Sequence, residues 1–216
     1  MFRPDLPLVR EANLVRVETD ALWPGADELA AAAEARFPDR PCVEVLHGPL
    51  GETLEPAFAA RGWRASRHLI MALRRPVAPP VLPVEEVEPE LLWPLRDEWL
   101  RGEPWGTDAI ATALLAWERV RARVAGARGF CLRDARGRPE AMCLLLATPY
   151  ADEIELVYTT PAARGRGRSF AVISRAAREA GDQLCFLFTD ADGAAQRLYG
   201  RLGFRAAGVV HRFRRA

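Results

Sequence analysis

The stretch PAARGRGRSFAV, residues 161–172, decides the fold because it joins a strand-like run to a helix-like run through a turn rich in glycine and arginine. The first turn of a helix leaves four backbone N–H groups without partners, and the peptide dipoles add roughly half a positive charge there. Glycine lets such amides approach an anion closely, and arginine adds charge and forked donors. The turn therefore predicts a phosphate site, with a solvated turn and an RNA contact as alternatives. Its residues are Arg164, Gly165, Arg166, Gly167, Arg168 and Ser169.

Composition argues against the RNA alternative. The chain of 216 residues has a formal net charge of only +1, so the arginines of this turn act locally. A protein whose main partner is nucleic acid usually carries a broad basic excess. We therefore expect no nucleic-acid partner.

The cysteine and histidine content indicates that the protein holds no metal. Cys42, Cys131, Cys143 and Cys185 lie in apolar runs and lack C-x-x-C spacing, and the chain has three histidines. Such cysteines are typical of small core residues rather than zinc ligands.

Charged residues near the N-terminus exclude an apolar signal core, and no apolar run approaches the roughly 20 residues of a membrane span. The sequence therefore predicts a cytoplasmic protein that does not contact membranes.

A proline-rich stretch divides the chain. Repeated prolines between 74 and 90 remove backbone donors and hold the chain extended. We expect a first domain at 1–75, a linker at 76–83 and a second domain at 84–216.

The first segment repeats the element order of the chain's end. Both read strand, helix, strand, helix, strand, and one gapless shift that places Phe58 on Tyr199 also places Gly62 on Gly203. The arginine turn has no counterpart in the first copy, where WPGADE stands at 23–28. This pattern indicates a duplication whose first copy has lost its anion site.

A second motif, DGAAQRLYGRLGF at 192–204, follows the arginine turn. Together the two motifs resemble those of the GNAT superfamily of acetyl-CoA-dependent N-acetyltransferases. Arg164 and Gly167 fit the family's [Q/R]-x-x-G-x-[G/A] loop, and the second motif fits N-x-x-A-x-x-L-Y-x-x-x-G-F through Ala195, Leu198, Tyr199, Gly203 and Phe204. The match covers about 153–205 by motif, 85–152 by element order and 1–75 only through the duplication.

Three positions depart from the family pattern. Ser169 stands where the family has Gly or Ala, and Arg168 where an apolar residue is usual. Asp192 replaces an Asn that in the family helps hold the pantetheine side of the cofactor, and a carboxylate cannot donate that hydrogen bond.

The resemblance implies a mixed α/β fold: a GNAT acyl-CoA N-acyltransferase domain preceded by a truncated β-α-β-α-β GNAT-like segment. It implies acetyl-CoA as cosubstrate, with the pantetheine arm in a gap between the strands near 153–159 and 183–189. The residues expected to bind it are the backbone of Val157, Tyr158 and Thr159, the turn Arg164, Gly165, Arg166, Gly167, Arg168 and Ser169, and Asp192 and Ala195.

Acetylation needs a neutral amine, so a general base is expected. In ADEIELVY, alternation sends Glu153, Glu155 and Val157 to one face of the strand and Ile154, Leu156 and Tyr158 to the other. Glu153 matches the position of the base in several family members, and Glu155 is the alternative. Both carboxylates also fit an interpretation as solvated strand residues.

Collapse of a tetrahedral intermediate expels a thiolate, which a phenol can protonate. Tyr199 is the candidate acid, since in the family the tyrosine at this position points toward the sulfur. A role in packing is the alternative, because Leu198 and Phe204 flank it.

The segment between the first two helices of the second domain lines the acceptor site in the family. Here it contains Trp99, Glu103 and Trp105, which suit a cationic or aromatic amine or else serve as core and cap residues.

These expectations describe an enzyme that transfers an acetyl group from acetyl-CoA to a primary amine of a small molecule or peptide by direct attack in a ternary complex. We expect a monomer or a homodimer. The alternative is a non-catalytic protein that binds acyl-CoA and regulates another process.

Overall fold

The computed structural model describes residues 3–18 and 24–215. Its helices are α1 (Ala26–Arg36), α2 (Gly48–Ala60), α3 (Trp93–Gly102), α4 (Asp108–Val124), α5 (Arg168–Glu179) and α6 (Ala195–Leu202). Its strands are β1 (Val15–Val17), β2 (Cys42–Val45), β3 (Trp63–Leu73), β4 (Glu85–Val87), β5 (Arg128–Arg133), β6 (Pro139–Ala147), β7 (Ala151–Thr159), β8 (Leu184–Asp190) and β9 (Phe204–Arg215).

The chain divides into two compact units. Unit 1 comprises the described residues up to Met71 together with Phe188–Gln196 and the chain from Ala206 onward, and unit 2 comprises Ala72–Leu187 and Arg197–Arg205. These units are defined by contacts within the folded chain, whereas the predicted domains rest on a proposed duplication. The domain boundaries at 75 and 84 therefore stay predictions.

In unit 1, strands β1, β2, β9 and β3 follow one another in the sheet. β1 runs parallel to β2, and β2 runs antiparallel to β9 with Val43 opposite Phe213. Phe58 of α2 stacks on Phe213 with ring centroids 4.2 Å apart, and Trp63 lies 5.1 Å from Phe58. These aromatic rings form the core of the unit with the alanine-rich face of α1.

In unit 2, the strand order is β8-β7-β6-β5-β4. β7 and β8 are parallel and the remaining neighbours are antiparallel, so this sheet is mixed. Helices α3 and α4 pack on one face through a core that includes Met142, Leu144 and Leu146 of β6. Cys143, between them in sequence, points to the other face, where its thiol donates to the carbonyl of Val172 in α5.

Turn residues from Asp134 to Gly137 predict a hairpin, and β5 and β6 form it. Asp134 Oδ1 accepts hydrogen bonds from the backbone N–H groups of Arg136 at 2.8 Å and Arg138 at 2.9 Å. Gly137 has φ +78°, a left-handed conformation that glycine adopts without strain.

Strand β4 lies within the proline-rich stretch of 74–90. β4 was not predicted; its glutamates pair with arginines of β5, Glu86 with Arg128 at 2.7 Å and Glu85 with Arg133 at 2.9 Å. The apolar pattern of 13–19 predicts the first strand; β1 covers Val15–Val17 of it, and Thr19 lies outside the described residues. Residues 74–84, the centre of the proline-rich stretch, contain no helix or strand.

Within the described residues, no helix has the length and apolar character needed to cross a bilayer, and no cluster of His, Cys, Asp and Glu has the arrangement of a metal site. All four cysteines are buried and free.

Candidate active site

The strand β7 changes its pairing halfway along its length. Its parallel ladder with β8 ends at Glu153 opposite Phe186, and the next pair of this register, Ile154 with Leu187, does not form. On the other side, Met142 pairs with Tyr158 and Leu144 with Glu155, so β7 holds one extra residue between these pairs. The extra residue makes a β-bulge, and Leu156 has φ +52°.

The bulge reverses the predicted alternation beyond Glu155. Met142 and Leu144 point to the same face of the sheet, so their partners Tyr158 and Glu155 do as well. The prediction that Tyr158 lies on the face opposite Glu155 was therefore wrong, because alternation holds only in a strand without a bulge. A left-handed conformation costs a non-glycine residue about 1–2 kcal/mol, and strain of this kind concentrates at functional sites.

Glu155 is a buried carboxylate with one unsatisfied oxygen. Its side chain is 12% exposed, and its Oε2 lies 2.9 Å from Arg121 Nη1. Its Oε1 is buried and accepts no hydrogen bond from the described residues. Burial raises the pKa of Glu155 to about 7, Arg121 opposes the rise, and the nearby charges of Glu153 and Glu118 add to it.

Glu153 lies on the same face, two residues earlier. Its carboxylate is 3.5 Å from Arg121 Nη2, and burial raises its pKa against the opposing charge of that guanidinium. A single arginine of α4 thus holds both candidate bases. The interpretation of the two glutamates as solvated strand residues is excluded by their side-chain exposures of 18% and 12%.

A second ion pair lies buried beside the first. Arg96 of α3 donates to Glu118 of α4 through Nε at 2.9 Å and Nη2 at 2.6 Å, and the two side chains are 9% and 8% exposed. The Arg96 guanidinium also lies 4.0 Å from the centroid of the Trp99 ring. This pair joins α3 to α4 and places a carboxylate near Glu155.

Trp99, Glu103 and Tyr158 form one cluster. The rings of Trp99 and Tyr158 stack at 4.7 Å with an interplanar angle of 9°. Trp99 Nε1 donates to Glu103 Oε1 at 2.9 Å. Two of the three predicted acceptor residues therefore contact each other beside β7, while Trp105 is 52% exposed.

The entrance of α5 has no side-chain cap. Gly167 occupies the N-cap position with φ +73°, and Gly165 has φ +75°. The first turn of the helix contains no acidic residue, and its first internal bond runs from Ala171 N to Gly167 O. The preceding amides are thus available to an anion, which a helix N-terminus favours.

Side chains hold the turn against the end of β7. Arg164 Nε donates to the Thr159 carbonyl at 3.2 Å, and the hydroxyls of Thr159 and Ser169 are 2.7 Å apart. Arg168 forms an ion pair with Glu140 of β6, so its charge is already matched within the protein. Arg166 is exposed and forms no ion pair with a described residue.

Tyr199 is buried in α6. It is 7% exposed, and its ring meets Phe204 edge-on with centroids 6.3 Å apart. Burial raises the pKa of Tyr199 to about 12, with a smaller contribution from nearby Cys143. The phenol is therefore protonated at neutral pH, as an acid must be.

Two predicted cofactor residues belong to unit 1. Asp192 is exposed, and its carboxylate lies 3.7 Å from Arg67 Nη2. Ala195 is the first residue of α6.

The buried charges on α3 and α4 were not predicted from the sequence. The buried positions of α4 are Ala111, Leu115, Glu118 and Ala122, a helical stripe that contains one carboxylate. The buried positions of α3 likewise contain Arg96. Opposite charges within the apolar stripes of consecutive helices would have indicated the pair.

Comparison with protein families gives a match of residues 129–213 to the model described as FR47-like protein. Comparison with curated proteins by sequence gives no match.

Three solved structures show the likeness in fold. A conserved protein of unknown function from Staphylococcus epidermidis has a TM-score of 0.75 and 13% identity, over 99% of this chain and 88% of that one. A GCN5-related N-acetyltransferase from Kribbella flavida has a TM-score of 0.58 and 19% identity, over 88% and 73%. A GCN5-related N-acetyltransferase from Sphaerobacter thermophilus has a TM-score of 0.59 and 19% identity, over 81% and 59%.

These likenesses confirm the predicted fold class: the chain has the mixed α/β fold of the GNAT acyltransferases. Together with the FR47-like match, they support the resemblance to the GNAT superfamily.

Proposed function

We propose that this protein transfers an acetyl group from acetyl-CoA to a primary amine of a small molecule or peptide, by direct attack in a ternary complex. One observation carries the proposal. Within a single stretch, β7 offers a carboxylate with a pKa near 7, a bulge where pairing with β8 has ended, and an uncapped helix entrance just beyond.

Acetyl-CoA fits this stretch by its chemistry. Its pyrophosphate is a dianion, and the amides of 165–169 are donors that no side chain caps. Its pantetheine arm is an extended chain with amide groups, and β7 beyond Glu153 has backbone groups that β8 does not pair. Extended ligands bind such edges by adding a strand. We expect Val157, Tyr158 and Thr159 to supply these backbone contacts, and Asp192 and Ala195 to lie beside the arm.

Glu155 is our preferred general base. An amine with a pKa near 10 is about one part in a thousand neutral at pH 7, so removal of its proton is a large part of the barrier. A base with a pKa near the working pH does this best. The pKa of about 7 favours Glu155 over Glu153. Glu153 shares Arg121 with Glu155, and the charge of Glu153 helps to raise the pKa of Glu155.

The proton balance needs an acid as well. The amine nitrogen forms a bond to the thioester carbon and loses a proton to Glu155, and the carbon–sulfur bond breaks. The departing thiolate takes a proton from Tyr199, which is protonated at neutral pH. Glu155 then releases the amine proton to solvent and the phenolate regains a proton from solvent, so the sum of the steps moves one proton from the neutral amine to the thiol.

Trp99 and Glu103 are the proposed contacts for the acceptor, with Trp105 as an outer contact. The Glu103 carboxylate attracts an ammonium group before that group is deprotonated. The stacked rings of Trp99 and Tyr158 support this role because they fix the Glu103 carboxylate through the indole N–H.

We further propose that residues 1–75 descend from a degenerate GNAT-like half. The shared strand–helix order of the two segments supports this origin. We also propose that the protein works in the cytoplasm, that it needs no metal, and that it is a monomer or homodimer.

The test is a thiol-release screen. The chain is first titrated with acetyl-CoA, and CoA release is then followed with simple amines, polyamines, aminoglycosides and peptide N-termini. We expect release that saturates in both substrates and that Glu155→Gln lowers at least tenfold, whereas Glu90→Gln, an exposed carboxylate, does not.

Binding of acetyl-CoA without release on any amine would reject the enzyme and favour the acyl-CoA-binding regulator. Absence of binding would reject both.

A further inference from the structure

A cavity of about 300 Å³ lies wholly within unit 1, apart from every residue of the proposed reaction. Its walls are partly apolar, and its charged residues are three arginines and one aspartate. The residues that line it are Pro4, Pro7, Leu8, Arg10, Asn13, Arg36, Phe37, Pro38, Asp39 and Arg40. Cavities of this size hold small organic molecules.

Hydrogen bonds hold the wall of the cavity that residues 4–13 form. Asn13 is 6% exposed, and its side-chain amide makes three hydrogen bonds. Its Oδ1 accepts from Arg3 N at 2.9 Å, and its Nδ2 donates to the carbonyls of Leu6 at 2.7 Å and Val9 at 3.0 Å. Arg40 Nη1 donates to the Leu8 carbonyl at 2.9 Å, which ties this wall to the opposite one.

The nearby carboxylates of Glu44 and Glu11 are engaged by arginines outside the cavity lining. Glu44 forms ion pairs with Arg16 at 2.8 Å and with Arg212 at 2.7 Å, and Glu11 forms an ion pair with Arg212 at 3.1 Å. Neither Arg10 nor Arg40 forms an ion pair with a described residue.

Arg10 is the least satisfied of these arginines. Its Nε is buried and donates to no described residue. Burial lowers the pKa of Arg10, and the charges of Arg40 and Arg212 lower it further, against a partial opposing effect of Glu11. A buried donor without an acceptor costs about 1–3 kcal/mol, more when it is charged, and an anion in the cavity would remove that cost.

We propose that this cavity binds a small organic anion, an oxyanion such as a carboxylate or phosphate carried on an apolar body. Arg10 and Arg40 hold the oxyanion, and the apolar part packs against Leu8, Phe37 and the prolines. The apolar wall distinguishes this ligand from free inorganic phosphate. The proposal stands independently of the acetyltransferase activity, because no residue is shared.

The test is calorimetric titration of the full chain with benzoate, hexanoate and phenyl phosphate. Benzamide, hexanamide and inorganic phosphate serve as matched probes that lack either the charge or the apolar body. We expect saturable binding of the first three and none of the last three, and the order among the first three identifies the preferred head group.

Variants locate the site. Arg10→Gln and Arg40→Gln remove one charged donor each, and we expect affinity about 10- to 100-fold lower. Arg10→Lys, which keeps the charge and removes the fork, covers the case in which the glutamine variant fails to fold, and we expect it to weaken binding less. Arg64→Gln, an exposed arginine of the same unit, should bind as the unaltered chain does.

Failure of every anionic probe to bind would overturn the proposal. Equal affinity of the neutral amides, or unchanged affinity in the folded Arg10 and Arg40 variants, would overturn it as well.

Discussion

Replacement of Glu155 by glutamine should make the protein more stable at high pH. The carboxylate is buried with one unsatisfied oxygen, and its pKa is raised from about 4.5 to about 7. The folded state therefore binds a proton more tightly than the unfolded state, so between these values stability falls as pH rises. A pKa difference of one between the folded and unfolded states corresponds to about 1.36 kcal/mol of stability. The free energy of unfolding should therefore differ by about 2–3 kcal/mol between pH 5 and pH 9 on account of this carboxyl.

The assay is urea unfolding of the unaltered chain and Glu155→Gln at pH 5 and at pH 9, with the free energies of unfolding compared. At pH 5 the protonated carboxyl resembles the amide, so the two proteins should differ little. The free energy of unfolding of Glu155→Gln relative to the unaltered chain should be about 2–3 kcal/mol higher at pH 9 than at pH 5. Glu90→Gln should show no such change with pH. A Glu155→Gln difference that is the same at both pH values would refute the raised pKa and the reasoning for the base.

Three further outcomes follow from the same geometry. The acetyl-transfer kcat/KM should rise with pH through a limb near pH 7, since Glu155 acts only when ionised; a pH-rate profile checks this, and a rate constant that does not change from pH 5 to pH 9 would speak against it. Glu118→Gln should lower the free energy of unfolding by about 3 kcal/mol in urea titrations, because it leaves Arg96 charged and buried; a loss below about 1 kcal/mol would show that water reaches the pair. Tyr199→Phe should lower kcat with little change in acetyl-CoA affinity, and full activity would assign the ring to packing alone.

The arginine turn and the helix after it could be predicted because their cause is local. Glycines at 165 and 167 permit the left-handed conformations, and the apolar periodicity of α5 begins directly afterwards. The order of most helices and strands followed from the same kind of pattern.

The bulge in β7 could not be predicted, because its left-handed residue is Leu156 rather than a glycine. Register against β6 imposes it, and register is a property of two strands that are not read together in a sequence. The sharing of Arg121 by Glu153 and Glu155 depends likewise on how α4 packs on the sheet. The arginine-lined cavity of unit 1 combines residues 4–13 with 36–40, whose approach no single pattern reveals.

Calorimetric titration with acetyl-CoA of Gly167→Ala and Gly137→Ala tests the central claim most directly. Both glycines are left-handed with open space around the added methyl group, so each substitution costs the fold about 1–2 kcal/mol for the same reason. Only Gly167 lies at the N-cap of α5. Alanine there favours a turn that is not left-handed in the free protein, and acetyl-CoA binding must restore the left-handed turn. We predict affinity about 5- to 30-fold weaker for Gly167→Ala and unchanged for Gly137→Ala. Equal affinity of the two variants, or no binding by the unaltered chain, would contradict the account.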